Sequence, residues 1–312
     1  MKLIHRYRQP KRSSEVQTVV VAGEHHVAAL GKRIDLRTGE TTKSAAAKFG
    51  RDGACVEWTR MGELFLVTPS GERTRLTGFE GLSTNVMMVS DDLVLLQADG
   101  RQPLLCIDRK TAKPTGRLEE MKGEPYNEQV TLFNCVVLDP RDGRTVWLIE
   151  AGRLAQHDLS TRRLVQAFDP KIGEKFVGLS VHPDGWVLTS ARSVTTPFDG
   201  SRDELVLIKD GAERLRRPLS VMSSAPLKNG FAVFEPKAKR FVFLDFELKE
   251  TGTLAHDSNW ALLVAMPSLR EWITIGGHGE WDHHGEDDLT APTVADEKKK
   301  PAVKKAKPRA KK

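Results

Sequence analysis

Four residues near the C-terminus, His278, Asp282, His283 and His284, are of the types that hold a divalent metal ion. Imidazoles and a carboxylate are gathered within a few positions of the apolar stretch Trp272–Ile275, and such groups, if they converge on one point, form a coordination site. The chemistry on offer would be metal-assisted hydrolysis. The plainer reading of residues 276–288 is a solvated, glycine-rich loop between strands that needs no cofactor; a divalent metal is the alternative. A second constellation closes the chain. Lys298, Lys299, Lys300, Lys304, Lys305, Lys307, Arg309, Lys311 and Lys312 put nine cations and only two acids into residues 296–312. Such a segment displaces condensed counterions from a polyanion, with an affinity that ignores sequence and falls steeply with salt.

The tail also accounts for the charge of the whole chain. The net charge is +6, the last 17 residues carry +7, and the remainder sums to −1. The body therefore gives no global reason to expect nucleic acid on its surface. Nucleophilic and phosphate-binding motifs are missing: there is no Gly-x-Ser-x-Gly elbow, no P-loop and no dinucleotide-binding glycine fingerprint after a strand. Cys55, Cys106 and Cys135 form no CxxC pair and sit in apolar contexts, which reads as reduced core thiols in a cytoplasmic protein. The doublets Glu119-Glu120 and Asp91-Asp92 fall in polar, turn-like stretches. His25-His26 is expected in a hairpin turn, near residues 278–284 if the first and last units of the fold are neighbours. The six tryptophans are dispersed and form no stacking platform for bases. Catalysis is thus not the leading expectation.

The elements that must position these groups are strands. Short runs rich in β-branched residues recur throughout, among them Ala54–Trp58, Leu93–Gln97, Thr145–Ile149, Glu204–Ile208, Phe241–Phe246 and Trp272–Ile275. Gly, Pro, Asp and Asn separate them. The best helix signal, Thr42–Phe49, is too short for a major element. No apolar run reaches the ~18 residues of a membrane-spanning helix, and the N-terminus lacks the apolar core of a secretory signal. Polar turns after apolar strands recur at 39, 71, 111, 160, 211 and 247. Their mean spacing of roughly 42 residues matches four short strands per unit, the period of a β-propeller blade.

The segment Val177-Gly178-Leu179-Ser180-Val181-His182-Pro183-Asp184-Gly185-Trp186-Val187-Leu188-Thr189 resembles the first hairpin of a WD40- or YVTN-type blade. Asp139-Pro140-Arg141-Asp142-Gly143 is a looser second example. The chain departs from WD40 proteins in lacking Trp-Asp at blade ends; its one such dipeptide, Trp281-Asp282, lies in a different setting. The resemblance implies an all-β fold, a single propeller of seven blades with six as the alternative. The N-terminal strand Leu3–Arg8 is expected to close it against strands drawn from residues 259–292, which removes open sheet edges. Residues 1–289 then form the propeller, and 290–312 a disordered Lys/Ala/Pro tail. Arg214–Arg217 and Arg162-Arg163 are expected on outer strands, and residues 198–204 in a long insertion of the fifth blade. His278–His283 is also similar to the His-x-His-x-Asp-His motif of metallo-β-lactamases. Glu280 stands at its third position, however, and only 29 residues follow His283, too few for that fold's remaining ligands.

The expected function is a non-catalytic interaction scaffold or assembly subunit. It would bind another protein through a propeller face, and nucleic acid or an acidic surface through the tail, with no membrane involved. The alternatives are a metal-dependent hydrolase or lactonase-like propeller using residues 278–284, and a small-ligand-binding sensor propeller.

Overall fold

In the computed structural model the described residues are 2–7, 20–22, 26–29, 32–35, 38, 40–43, 46–59, 61–80, 82, 84–98, 101–121, 136–194, 203–266, 269–276 and 281–285. They form seven four-stranded antiparallel sheets. The first strand, β1 (Lys2–Tyr7), is set aside for the last sheet. Blade I holds β2 (Val20–Ala22), β3 (His26–Ala29), β4 (Lys32–Asp35) and β5 (Thr41–Lys43). Blade II holds β6 (Ala46–Phe49), β7 (Cys55–Trp58), β8 (Leu64–Val67) and β9 (Arg73–Arg75). Blade III holds β10 (Thr84–Val89), β11 (Leu93–Ala98), β12 (Arg101–Asp108) and β13 (Pro114–Arg117). Blade IV holds β14 (Val136–Leu138), β15 (Thr145–Glu150), β16 (Arg153–Asp158) and β17 (Leu164–Phe168). Blade V holds β18 (Glu174–Val181), β19 (Val187–Ser193), β20 (Glu204–Lys209) and β21 (Ala212–Pro218). Blade VI holds β22 (Ser223–Leu227), β23 (Gly230–Glu235), β24 (Arg240–Leu244) and β25 (Glu250–Ala255). Blade VII is built from β26 (Ala261–Ala265), β27 (Glu271–Gly276) and β28 (Trp281–Gly285), and β1 completes it by pairing Lys2 with Gly285 and Tyr7 with Trp281. The expected closure by the N-terminal strand is therefore the closure found.

The first strand of each blade is innermost, and these strands touch in succession from β2 through β6, β10, β14, β18 and β22 to β26. Hydroxyls stitch some of them together: Ser180 to Ser224 at 2.7 Å, and Ser223 donating to the Ala261 carbonyl at 2.9 Å. Cores lie between consecutive sheets. Val56 and Leu66 of blade II meet Val94 and Ile107 of blade III. Trp147 and Leu154 of blade IV meet Phe176 and Val206 of blade V. Phe234 and Phe241 of blade VI meet Leu263 and Trp272 of blade VII. The middle strands of blades III to VI are largely apolar and buried, as in β23. Outer strands are exposed and polar, as in β9 and β21.

Of the repeat landmarks, 71, 111, 160, 211 and 247 all fall in the turn between the third and fourth strands of blades II to VI. Residue 39, between β4 and β5, lies outside the described residues. Two expectations change. Thr42–Phe49 is not helical but contributes to β5 and β6 in two different blades. A run of small residues too short to nucleate a helix takes the hydrogen bonds its sheet neighbours offer. Arg162 and Arg163 lie in the turn between β16 and β17, whereas Arg214–Arg217 do lie on outer strand β21.

Candidate functional site

The histidine-rich segment is a strand where a loop was expected. Residues 281–285 form β28, paired on one side with β27 and on the other with β1. A strand alternates its side chains between faces, so His283 and His284 point apart. His283 is buried and lies 2.8 Å, through Nε2, from a carboxylate oxygen of Glu271. His284 faces blade VI, stacked on Trp272 with centroids 5.5 Å apart and within 3.2 Å of the Thr274 hydroxyl. Asp282 shares the face of His284 and is paired in register with Thr274. Adjacent histidines divided by a sheet do not ligate one ion together, and among the described residues no group of three or more His, Cys, Asp or Glu is placed to hold a metal. His278 and the tail cations Lys298–Lys312 lie outside the described residues, as do His25, Cys135 and residues 195–202 of the fifth-blade insertion. Its end, Asp203, is buried and bonded by Arg192 at 2.8 Å. Cys55 and Cys106 are buried, and burial pushes the Cys106 thiol up to about 11.

Each sheet is an up-and-down meander, so the propeller has two unlike ends. The turns joining first to second and third to fourth strands make the lower face. The connections between second and third strands, and from blade to blade, make the upper face.

The lower face is charged and internally paired. Asp52 of blade II receives Arg109 of blade III at 2.7 Å. Arg51 reaches the Asp139 carbonyl of blade IV at 3.2 Å. Asp139 itself is fully buried. It accepts hydrogen bonds from Arg141 Nη2 at 2.6 Å, Trp147 Nε1 at 2.9 Å and Gln156 Nε2 at 3.3 Å. Burial opposes the charge of its carboxylate. The hydrogen bonds from Arg141 and Trp147 outweigh that and hold its pKa below the ordinary value. Between blades V and VI, Trp186 stacks on Phe246 at 5.4 Å, Lys209 covers the Trp186 ring at 4.4 Å, and His182 meets Phe246 edge-on. The last described residue before the tail, Gly285, sits at this same end, because it pairs with Glu271 at the lower start of β27.

The upper face is different. Six large apolar side chains are exposed among the described residues, and four of them stand on upper-face connections: Met61 (89%), Leu82 (39%), Ile172 (106%) and Met222 (41%). They come from four separate loops, and three of these lead directly into the inner strands β10, β18 and β22. The other two, Val165 and Leu215, lie on outer strands. Spacing in the sequence did not reveal this grouping.

Sequence comparison matches no family model and no curated protein. Comparison of structures does find relatives in shape. The chain superposes on hydrazine synthase from Kuenenia stuttgartiensis with a TM-score of 0.62 at 11% identity, over 89% of this chain and 99% of that one. It superposes on the WD40 β-propeller domain of Doa1 with a TM-score of 0.62 at 10% identity, over 92% and 97% respectively. At such identities the likeness is one of fold, and with the seven four-stranded sheets it identifies the fold as a β-propeller.

Proposed function

We propose that the protein is a non-catalytic propeller that docks another protein on its upper face. The basic segment 290–312 adds a salt-sensitive attraction for nucleic acid or another polyanion, and the setting is cytoplasmic. One observation carries the reading: Met61, Leu82, Ile172 and Met222 all stand on upper-face connections as exposed apolar side chains, while on the lower face Asp52 and Asp139 are paired with Arg109 and Arg141. Apolar side chains at a rigid surface release water when a partner covers them, which is the usual core of a protein interface. The tail acts by counterion release and needs no fold of its own.

The test is affinity capture with the full chain, a chain ending at Leu289, and an Ile172→Asp/Met222→Asp variant, each at low salt and at ~0.5 M, where exposed charge pairs are screened. The expected result is a defined protein partner kept by the shortened chain at both salts and lost by the double variant. A partner retained by the double variant would move the docking site elsewhere. Nucleic acid captured through the tail, with no protein bound by the body, would leave the upper face without this role.

A further inference from the structure

The seam between blades III and IV encloses two titratable groups that the docking reading does not use. Glu150 ends β15 and His157 lies on β16. Both are buried, at 4% and 0% exposure. Their side chains lean toward each other over the small Ala155 and bring Nε2 to 3.8 Å from a carboxylate oxygen, beyond hydrogen-bonding distance. Among the described residues neither ring nitrogen of His157 has a hydrogen-bond partner. Around them is an apolar core drawn from both blades, with Met88, Leu95 and Leu104 on one side and Val146 and Leu148 on the other.

We propose that Glu150 and His157 form a single proton-holding site in this seam: on folding, the imidazole surrenders its proton and the carboxyl takes one up. In the unfolded chain in mild acid the histidine is charged and the glutamate ionised. An ion pair sealed in apolar surroundings needs hydrogen bonds to offset its desolvation, and this one has none between its members. The folded site therefore holds neutral imidazole and protonated carboxyl, with the same proton count as the unfolded pair.

The neighbouring charges support that assignment. Burial pushes Glu150 up to about 7 from an ordinary 4.5; Glu120 adds to this, and the Met121 N–H and Arg153 oppose it. Burial pulls His157 down from 6.5 to about 4, against a smaller upward pull from Glu119. Glu119 is itself bonded by the Leu164 N–H, and Arg153 is drawn off by Asp169. On the blade III side, Cys106 faces the same core, with Arg117 and Arg162 nearby.

The signs of the two contributions are opposite. A raised carboxyl gives stability that is present below 4.5 and lost as pH rises through about 7. A depressed histidine gives stability that is present above 6.5 and lost as pH falls through about 4. Between about 4.5 and 6.5 the slopes cancel, so the joint keeps its strength in acid that would charge an isolated buried histidine.

The experiment is equilibrium denaturation of the full chain, wild type, Glu150→Gln and His157→Gln, across this pH range. The ratio of folding constants, wild type over Glu150→Gln, should fall about tenfold per pH unit above 4.5, and wild type over His157→Gln should rise about tenfold per unit up to 6.5. Parallel pH curves for wild type and Glu150→Gln would overturn the proposal. If a variant does not fold, the His157 ring is titrated by NMR in the wild-type protein. A neutral ring at pH ~5, where exposed histidines are charged, is the expected result; a charged ring there would refute the shared site.

Discussion

Replacing Asp139 tests how this propeller is locked. Its carboxylate is fully buried and ties the first turn of blade IV to the middle strands, accepting from Arg141, Trp147 and Gln156. Asp139→Ala removes the acceptor of three residues, Arg141 through its backbone N–H as well as its guanidinium, but the losses do not weigh equally. Arg141 is partly exposed and turns to water. Gln156 keeps Thr145 Oγ1 as acceptor at 3.1 Å and still receives Gln166 at 2.6 Å. Trp147 Nε1, on a buried ring stacked against Phe168, has nowhere to go. An orphaned buried donor costs about 1–3 kcal/mol, and the lost charge-assisted bonds bring the expected total to about 3–4 kcal/mol. Asp139→Asn keeps an acceptor for Trp147 and should lose roughly half as much. At about 2–3 °C per kcal/mol for a chain of this size, Asp139→Ala should melt about 6–12 °C below the wild type at neutral pH. Because the folded carboxylate's pKa is depressed, its contribution is complete above the unfolded value of about 4 and fades as pH falls through the folded one, so the gap should narrow in acid. Differential scanning calorimetry at pH ~7 and ~3 reads both effects. An Asp139→Ala protein that melts within about 2 °C of wild type at neutral pH, or a gap that widens in acid, would refute the reasoning.

Three further outcomes are expected. Arg216 lies among Glu174, Glu204 and Glu213 at 2.9, 2.9 and 2.8 Å, so Arg216→Ala should cost about 1–3 kcal/mol at neutral pH by leaving like charges together. That cost should shrink below pH ~4 as the carboxylates protonate, which urea denaturation at two pH values will show. Gly230→Ala would drive a Cβ to within 1.9 Å of the Leu244 carbonyl oxygen, across the β23–β24 pair, and should cost at least about 3 kcal/mol or abolish soluble expression. A chain ending at Leu289 should unfold with the same cooperativity as the full chain while losing the salt-dependent retention on immobilised duplex DNA; loss of cooperative unfolding would break the domain boundary at 289.

The sequence by itself determined that this protein is all-β, that its unit is about 42 residues with a polar turn at a fixed place, and that its positive charge belongs to the last 17 residues. These facts are local. Alternation and turn chemistry are written in neighbouring residues, which is why the turns at 71, 111, 160, 211 and 247 coincide with real ones. The buried middle strands were legible for the same reason. Outer strands such as Arg73–Arg75 and Pro114–Arg117 were not, since a strand with one sheet neighbour and solvent outside carries no apolar signal. Thr42–Phe49 shows the limit of local propensity, its residues being divided between blades I and II by pairings that lie outside the segment.

Tertiary structure alone decided which side chains meet. His283 and His284 are neighbours in the chain, yet the pleat sends one toward Glu271 and the other toward Trp272. Glu150 and His157 are drawn together only because β15 and β16 form a hairpin whose intervening Ala155 leaves room above it. The common direction of the meanders set the two faces, placing Met61, Leu82, Ile172 and Met222 at one end from loops spread over about 160 residues.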